Sequence, residues 1–272
     1  PCGIPPGIEE EPGRPEITIL NKTRNTLGKG KYNYIWVALI ILIFGIIFVP
    51  RIVDRLKEGS VVEHDRISQD PDNEPLSYIL LNGEKRKVPP FALLDQDSML
   101  VTDKDYLGKV YIAEFFFTTC PTICPVMNKN LVQLQEEFRE FEDFGVASFT
   151  INPQYDTPRV LKAYAETYGI TDMDWHLLTG DSEQIFDLAN SGFNIFAQEM
   201  PQVPGGFEHS GLFALIDREG YIRSRKDDYG NPIIYYRGMI PEAEGTNEQG
   251  ETEQISLLKE DIRKLLEEEN GR

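Results

Sequence analysis

Cysteine is scarce in this chain, which limits how sulfur can be used. Only three cysteines occur among 272 residues, too few for the disulfide framework of a small secreted domain. Cys2 stands in a segment rich in proline, glycine and glutamate. We expect it to be a free thiol on a tail, with a lipid-modified or partner-linked cysteine as the alternative. The other two, Cys120 and Cys124, are four positions apart in the sequence. Any cysteine chemistry of a folded domain must therefore use this pair.

Positive charge is also scarce. The chain has 27 lysines and arginines against 45 aspartates and glutamates, so its formal net charge is −18. Nucleic-acid-binding domains carry a basic face, and this composition therefore argues against nucleic acid as a partner. Apolar residues make up 40% and charged residues 26%, which is typical of a globular protein and not of a disordered one.

Charge is absent altogether from one segment near the N-terminus. Residues 1–31, rich in proline, glycine and charge, predict a disordered tail, and residues 32–50 then contain no charged side chain. As a helix, residues 32–50 would be about 28 Å long, close to the thickness of the hydrocarbon core of a bilayer. The sequence therefore predicts one transmembrane helix at 32–50, followed by a polar linker at 51–85. Basic residues are equally numerous on both sides, so charge does not fix the orientation.

Residues 86–272 predict a single α/β domain. Val110–Phe117 is an apolar run of strand length, interrupted by Glu114, which we expect near solvent or at a sheet edge. A helical stripe follows over 125–143 and is predicted to end at Gly145. The later elements are a strand at Val146–Ile151, a helix opened by Pro158 and closed by Gly169, a strand at Trp175–Leu178, a helix capped by Ser182, a hairpin of Leu212–Ile216 and Tyr221–Arg223, and a helix over 255–266. This order predicts a thioredoxin-like fold, a central sheet with flanking helices.

One segment does not fit that order. Residues 226–250 carry charge, glycine, proline and asparagine, yet they include the apolar run Ile233–Tyr236. Two interpretations stay open for this predicted insertion. It is either a hairpin that contacts a partner or caps a cleft, or a hairpin packed on its own domain.

The cysteine pair falls where the first predicted strand ends and the first helix begins. Unsatisfied N–H groups at a helix N-terminus stabilise an anion, so a thiolate there acts as a nucleophile or a metal ligand at neutral pH. If the segment is helical, Cys120 and Cys124 lie on one face and both sulfurs reach one ion. The same two residues could instead close a disulfide, so a metal site and a redox pair both stay open.

A metal site needs a further ligand, and the chain contains only three histidines. His64 lies in the predicted linker, and His176 lies among apolar residues, as a hydrogen-bonded structural histidine does. His209 directly precedes the hairpin strand, which in a thioredoxin-like fold lies beside the first strand–helix junction, so we predict it to be the third ligand. Two thiolates and an imidazole suit Cu(I), whereas Zn²⁺ would usually take a fourth ligand. Met127 and Met200 could offer thioether sulfur, although Met127 is better explained by core packing.

Four motifs of this chain resemble those of the Sco/SenC proteins. The central one is Phe117–Pro125, with its two Cys-Pro pairs, combined with His209 before a strand; the others are Asn152–Pro158, Trp175–Gly180 and Asp217–Gly220. The resemblance implies a membrane-anchored, thioredoxin-like copper chaperone of cytochrome c oxidase assembly. It implies that Cys120, Cys124 and His209 bind a copper ion. The chain differs from the usual pattern at Asn152 and Glu208, where the family often has aspartate.

The resemblance also implies partners and a location. Copper would be delivered to the dinuclear copper site of the oxidase subunit that carries it. The soluble domain would lie in the periplasm, anchored by a single span in the bacterial inner membrane, with the mitochondrial inner membrane as the alternative. Two other functions stay open: a thiol–disulfide oxidoreductase in which Cys120 and Cys124 reduce the cysteines of that oxidase site, and an accessory subunit bound to other subunits of a respiratory complex.

Overall fold

The apolar runs in the middle of the chain form the central strands of one sheet in the computed structural model, which describes residues 33–58, 75–227 and 229–268. The chain divides into two units, residues 1–69 and 70–272. The strands are β1 Ser77–Tyr78, β2 Leu80–Leu81, β3 Glu84–Lys85, β4 Ala92–Leu94, β5 Leu100–Thr102, β6 Val110–Phe116, β7 Phe144–Thr150, β8 Trp175–Leu178, β9 Ala197–Glu199, β10 Phe207–His209, β11 Leu212–Ile216, β12 Ile222–Ser224 and β13 Tyr236–Arg237. The helices are α1 Asn33–Glu58, α2 Cys124–Phe138, α3 Pro158–Tyr168, α4 Ser182–Asp187 and α5 Ile255–Glu267.

The first unit contributes helix α1. It starts close to the beginning of the predicted span and continues beyond residue 50 into the charged sequence that follows. Among the residues that the structure describes, no helix combines the length and the apolar character needed to cross a membrane. The transmembrane helix predicted at 32–50 is therefore not supported. The predicted tail, residues 1–31, lies outside the described residues.

The second unit is built on a mixed sheet with the strand order β1–β12–β11–β6–β7–β8. The three strands β6, β7 and β8 are parallel, because helices α2 and α3 connect them in turn. Strand β11 runs antiparallel to β6, and β12 runs antiparallel to β11, as expected for a hairpin. This βαβαβ unit followed by a hairpin and a terminal helix, α5, confirms the predicted thioredoxin-like fold.

Two details of the predicted elements were wrong. Glu114 was expected near solvent or at a sheet edge, but it is fully buried, because β6 lies between β7 and β11 in the middle of the sheet. Gly145 was expected to end the first helix, but α2 ends at Phe138 and Gly145 lies inside β7. Glycine fits there because a Cβ atom would lie 2.9 Å from the carbonyl oxygen of Asp174.

The predicted linker and the predicted insertion differ in part from the organisation expected from the sequence. Within the predicted linker, 51–85, helix α1 continues to Glu58, residues 59–74 lie outside the described residues, and β1 pairs with β12. The predicted insertion at 226–250 packs on its own domain. Its strand β13 pairs with β11, and the Tyr236 hydroxyl donates to the Asp261 carboxylate of α5 over 2.6 Å.

Candidate metal centre

Cys120 and Cys124 lie at the carboxyl end of β6, the central strand of the sheet. The chain turns after Phe117, whose carbonyl accepts a hydrogen bond from the Cys120 N–H over 3.2 Å, and α2 then begins at Cys124. Pro125 follows at the start of the helix, where its missing N–H costs nothing. The Cys120 and Cys124 side chains are 8% and 0% exposed, and neither forms a disulfide.

His209 completes a group of three soft or borderline donors. It is the last residue of β10, a strand that pairs with β9 and so brings the imidazole over the start of α2. The His209 Nε2 atom lies 3.2 Å from the Cys124 Sγ atom, and one ligand atom from each of the three residues lies within 4.8 Å of the others. The predicted ligands are thus brought together by two separate parts of the chain, the β6–α2 junction and β10. Among the described residues, no other group of three or more histidine, cysteine or acidic side chains brings its ligand atoms this close together.

The two thiols differ in their electrostatics. The pKa of Cys120 is lowered to about 3, chiefly by hydrogen bonding from the Cys124 side chain and also by His209 and Thr122, against the opposing effect of burial. The pKa of Cys124 is raised, first by burial and then by the neighbouring Cys120, beside which a second negative charge is unfavourable. The pair therefore holds one thiolate and one thiol near neutral pH. Binding an ion to both sulfurs must release the proton of Cys124.

A buried carboxylate positions the turn that carries Cys120. Asp156, fully buried, accepts hydrogen bonds from the Thr118 N–H over 3.0 Å, from the Thr118 hydroxyl and from the Thr150 hydroxyl. Thr118 is two residues before Cys120, and Thr150 ends β7, so Asp156 ties the cysteine turn to the neighbouring strand. In the sequence, Asp156 stands out only as part of the motif Asn152–Pro158. The role of Asp156 depends on which strand end lies beside the cysteine turn in the folded sheet, and the sequence does not show this.

Replacing Asp156 with alanine is expected to lower the free energy of unfolding by about 3 kcal/mol. An unsatisfied buried donor costs roughly 1–3 kcal/mol, and the two hydroxyls can rotate towards other partners while the Thr118 N–H does not. Urea unfolding followed by circular dichroism measures the change. Asp97→Ala is the matched control, because Asp97 pairs with Lys162 at the exposed surface and should contribute less than about 1 kcal/mol. Equal losses for the two variants would contradict the role given to Asp156.

Glu114 is a second buried carboxyl group that the sequence analysis misplaced. Its Oε1 atom accepts a hydrogen bond from the Ser148 hydroxyl over 2.7 Å, and that hydroxyl accepts one from the Trp175 Nε1–H over 3.0 Å. Its other oxygen, Oε2, has no partner among the described residues. Burial raises the pKa of Glu114 to about 7, although the hydrogen bond from Ser148 opposes the shift. The only signal in the sequence that could have indicated this group is a single acid inside an otherwise apolar strand.

Of the remaining candidates from the sequence, His176 is described and lies apart from the three-residue group. His176 forms a contact of 3.2 Å between its Nδ1 atom and the Asp95 Oδ2 atom, as expected for a structural histidine. His64 lies outside the described residues. Met127 is fully buried in the core, as predicted, and Met200 lies half-buried just after β9. Two sulfurs and one imidazole nitrogen therefore remain, a donor set that fits a soft ion such as Cu(I).

Comparison with known proteins places this geometry in a family. A family model described as SCO1/SenC matches residues 81–238, more than half of the chain and all three donors. The chain belongs to the SCO1/SenC family. It is 31% identical over 151 residues to a protein named "SCO1 protein homolog" from Bacillus subtilis, covering 55% of this chain and 74% of that protein.

Two further proteins extend the comparison. A Stutzerimonas stutzeri protein named "Putative copper-binding protein" is 31% identical over 156 residues, covering 53% of this chain and 71% of that protein. The crystal structure of a SCO1/SenC family lipoprotein from Bacillus anthracis superposes with a TM-score of 0.55 at 28% identity. That match covers 67% of this chain and 96% of the other. The fold of the second unit is therefore that of known SCO1/SenC domains.

Proposed function

We propose that this chain binds one copper ion through Cys120, Cys124 and His209 and delivers it to the dinuclear copper site of cytochrome c oxidase during assembly of that enzyme. The observation that carries the proposal is the group of three donor atoms within 4.8 Å of one another. A relative named as copper-binding supports copper as the ion. The resemblance to Sco/SenC proteins supports the oxidase subunit that carries the dinuclear site as the recipient.

The chemistry of the donors suits a carrier that must release its cargo. Two thiolates make the site selective for a soft ion, and the imidazole gives the weaker third bond. Cys120 is partly accessible while Cys124 is enclosed, so an acceptor thiolate would meet the ion on the Cys120 side. The ion can then pass between sulfur ligands without a change in its oxidation state. Membership of a family that includes a lipoprotein supports a location at the outer face of a bacterial membrane, in the periplasm.

Titration of the reduced protein with Cu(I) under nitrogen, in competition with a chromogenic chelator, tests this proposal. We expect one equivalent to bind, and we expect His209→Ala to weaken the binding by at least about tenfold, because even groups outside the first ligand shell contribute 10–100-fold at metal sites. His176→Ala is the matched control, since it removes a histidine that pairs with Asp95 and not with sulfur. No binding by the reduced protein, or unchanged binding by His209→Ala, would overturn the proposal.

A second function, thiol–disulfide exchange, is favoured by the lowered pKa of Cys120. In that reaction the Cys120 thiolate attacks a disulfide of the partner, forms a mixed disulfide and displaces one partner thiolate. Cys124 then loses its proton and attacks the Cys120 sulfur, which releases the second partner thiol and leaves a Cys120–Cys124 disulfide. His209→Ala separates the two functions, because it should weaken copper binding while sparing exchange with a model disulfide.

A further inference from the structure

The predicted insertion places a methionine beside two of the residues that flank the copper ligands. Met239 lies two residues after β13. A Cβ atom added to Gly211 would lie 3.4 Å from the Met239 Sδ atom and 3.0 Å from the Ile123 Cδ1 atom. Gly211 is two residues after His209, and Ile123 directly precedes Cys124. The Met239 thioether therefore lies beside the segment that follows His209, where Ile123, the residue before Cys124, also packs.

The backbone around Met239 is fixed from both of those segments. The Gly238 N–H donates to the Gly211 carbonyl over 2.9 Å. The Asn130 side chain, itself buried on α2, donates to the carbonyls of Gly238 and Ile240 over 2.9 and 3.2 Å. These two carbonyls flank Met239 on either side, and α2 is the helix that begins at Cys124. A side chain at Gly238 would collide with the Phe213 ring, with 2.5 Å to its Cζ atom, so the close approach needs glycine.

The Met239 side chain packs partly against the core and also carries a soft donor atom. It is only half-buried, and its thioether is a soft ligand on a side chain with three rotatable bonds. Packing against Ile123 would be served equally well by leucine, which lacks the sulfur. The family match ends at residue 238, so this methionine lies just outside the segment that the chain shares with the family model.

We propose that Met239 is an auxiliary Cu(I) ligand at the mouth of the Cys120–Cys124–His209 centre, and that its thioether holds the ion while it enters or leaves. This inference rests on the proposed copper binding. One sulfur ligand is exchanged for another through an intermediate in which the ion contacts both, so no electron or proton is transferred. The thioether carries no proton at neutral pH, so it accepts the ion without releasing one.

Methyl NMR and transfer kinetics on the full chain test the inference. The chain has five methionines, so ¹³C-methyl labelling gives five resonances that single leucine substitutions assign. We expect substoichiometric Cu(I) to shift the Met239 methyl resonance and not that of Met173, which is 90% exposed and precedes β8 at the amino end of the parallel strands. We also expect Met239→Leu to slow Cu(I) transfer to a chelator by about tenfold, the lower end of what groups outside the first ligand shell contribute. Met173→Leu should transfer at the wild-type rate.

The outcomes separate this inference from the function on which it rests. An unshifted Met239 methyl resonance, or wild-type transfer by Met239→Leu, overturns the role of Met239 and leaves copper binding at the three-ligand centre intact. Failure of the wild-type protein to bind Cu(I) overturns both. Because leucine matches methionine in size and polarity, a change in transfer rate without loss of thermal stability reports on the sulfur and not on packing.

Discussion

Cys124→Ser is expected to lower the affinity for Cu(I) by more than about 100-fold, the upper end of what groups outside the first ligand shell contribute at metal sites. The serine hydroxyl is a hard donor that stays protonated at neutral pH, so the site loses a thiolate and keeps one sulfur and one imidazole. The fold should survive, because the serine hydroxyl can replace the thiol in the 3.2 Å contact with His209 Nε2. Chelator competition gives the affinity, and thermal unfolding checks the fold.

Cys120→Ser should weaken copper binding to a similar extent, but the two variants should differ in redox chemistry. Cys120 carries the thiolate and is the more exposed of the pair, so its loss removes the attacking nucleophile. In Cys124→Ser the attack still occurs, and the mixed disulfide then accumulates because no second thiol resolves it. Cys2→Ser is the control, as it removes the remaining cysteine of the chain. If either site variant keeps the wild-type affinity, that sulfur is not a copper ligand.

The sequence predicted the centre because topology alone determines its position. Three features meet wherever this order of elements forms a parallel sheet with an antiparallel neighbour. They are the strand that ends at Phe117, the helix that starts at Cys124 and the hairpin strand after His209. The donor types then indicated the chemistry. No side-chain geometry was needed for that inference, and the structure brings together the same three residues that the spacing and the order had indicated.

The surroundings of the centre were harder to predict, because they depend on contacts between distant segments. Asp156 acts on Thr118 across 38 positions of sequence. Met239 lies beside Gly211 because Asn130 and Gly211 bind the backbone at Gly238. The apolar run Ile233–Tyr236 gave no indication of which surface it would cover. Glu114 was misplaced for a related reason, since an acid in a strand predicts exposure unless the neighbouring strands on both sides are known.

Glu114→Gln is expected to remove a pH dependence of about 3 kcal/mol from the stability of the reduced, copper-free protein. The pKa of Glu114 is about 7 in the folded protein, above the ordinary value of 4.5. Below the lower value the carboxyl is protonated in both the folded and the unfolded chain, so it adds no pH dependence. Between the two values only the unfolded chain loses the proton, and stability therefore falls as pH rises. Above the higher value the loss is complete, at about 1.4 kcal/mol for each pH unit between the two values.

Glutamine has the shape of the protonated carboxyl but no proton to lose, so the free energies of unfolding of variant and wild type should diverge with pH. We expect the variant to gain about 3 kcal/mol relative to wild type between roughly pH 4.5 and 7.5, measured by urea unfolding. Glu166→Gln, at an exposed position on α3, is the control and should show less than about 0.5 kcal/mol of divergence. Parallel pH profiles for wild type and Glu114→Gln would mean that water or a shifted side chain solvates the carboxylate. In that case the unpartnered Oε2 atom would not raise the pKa of Glu114.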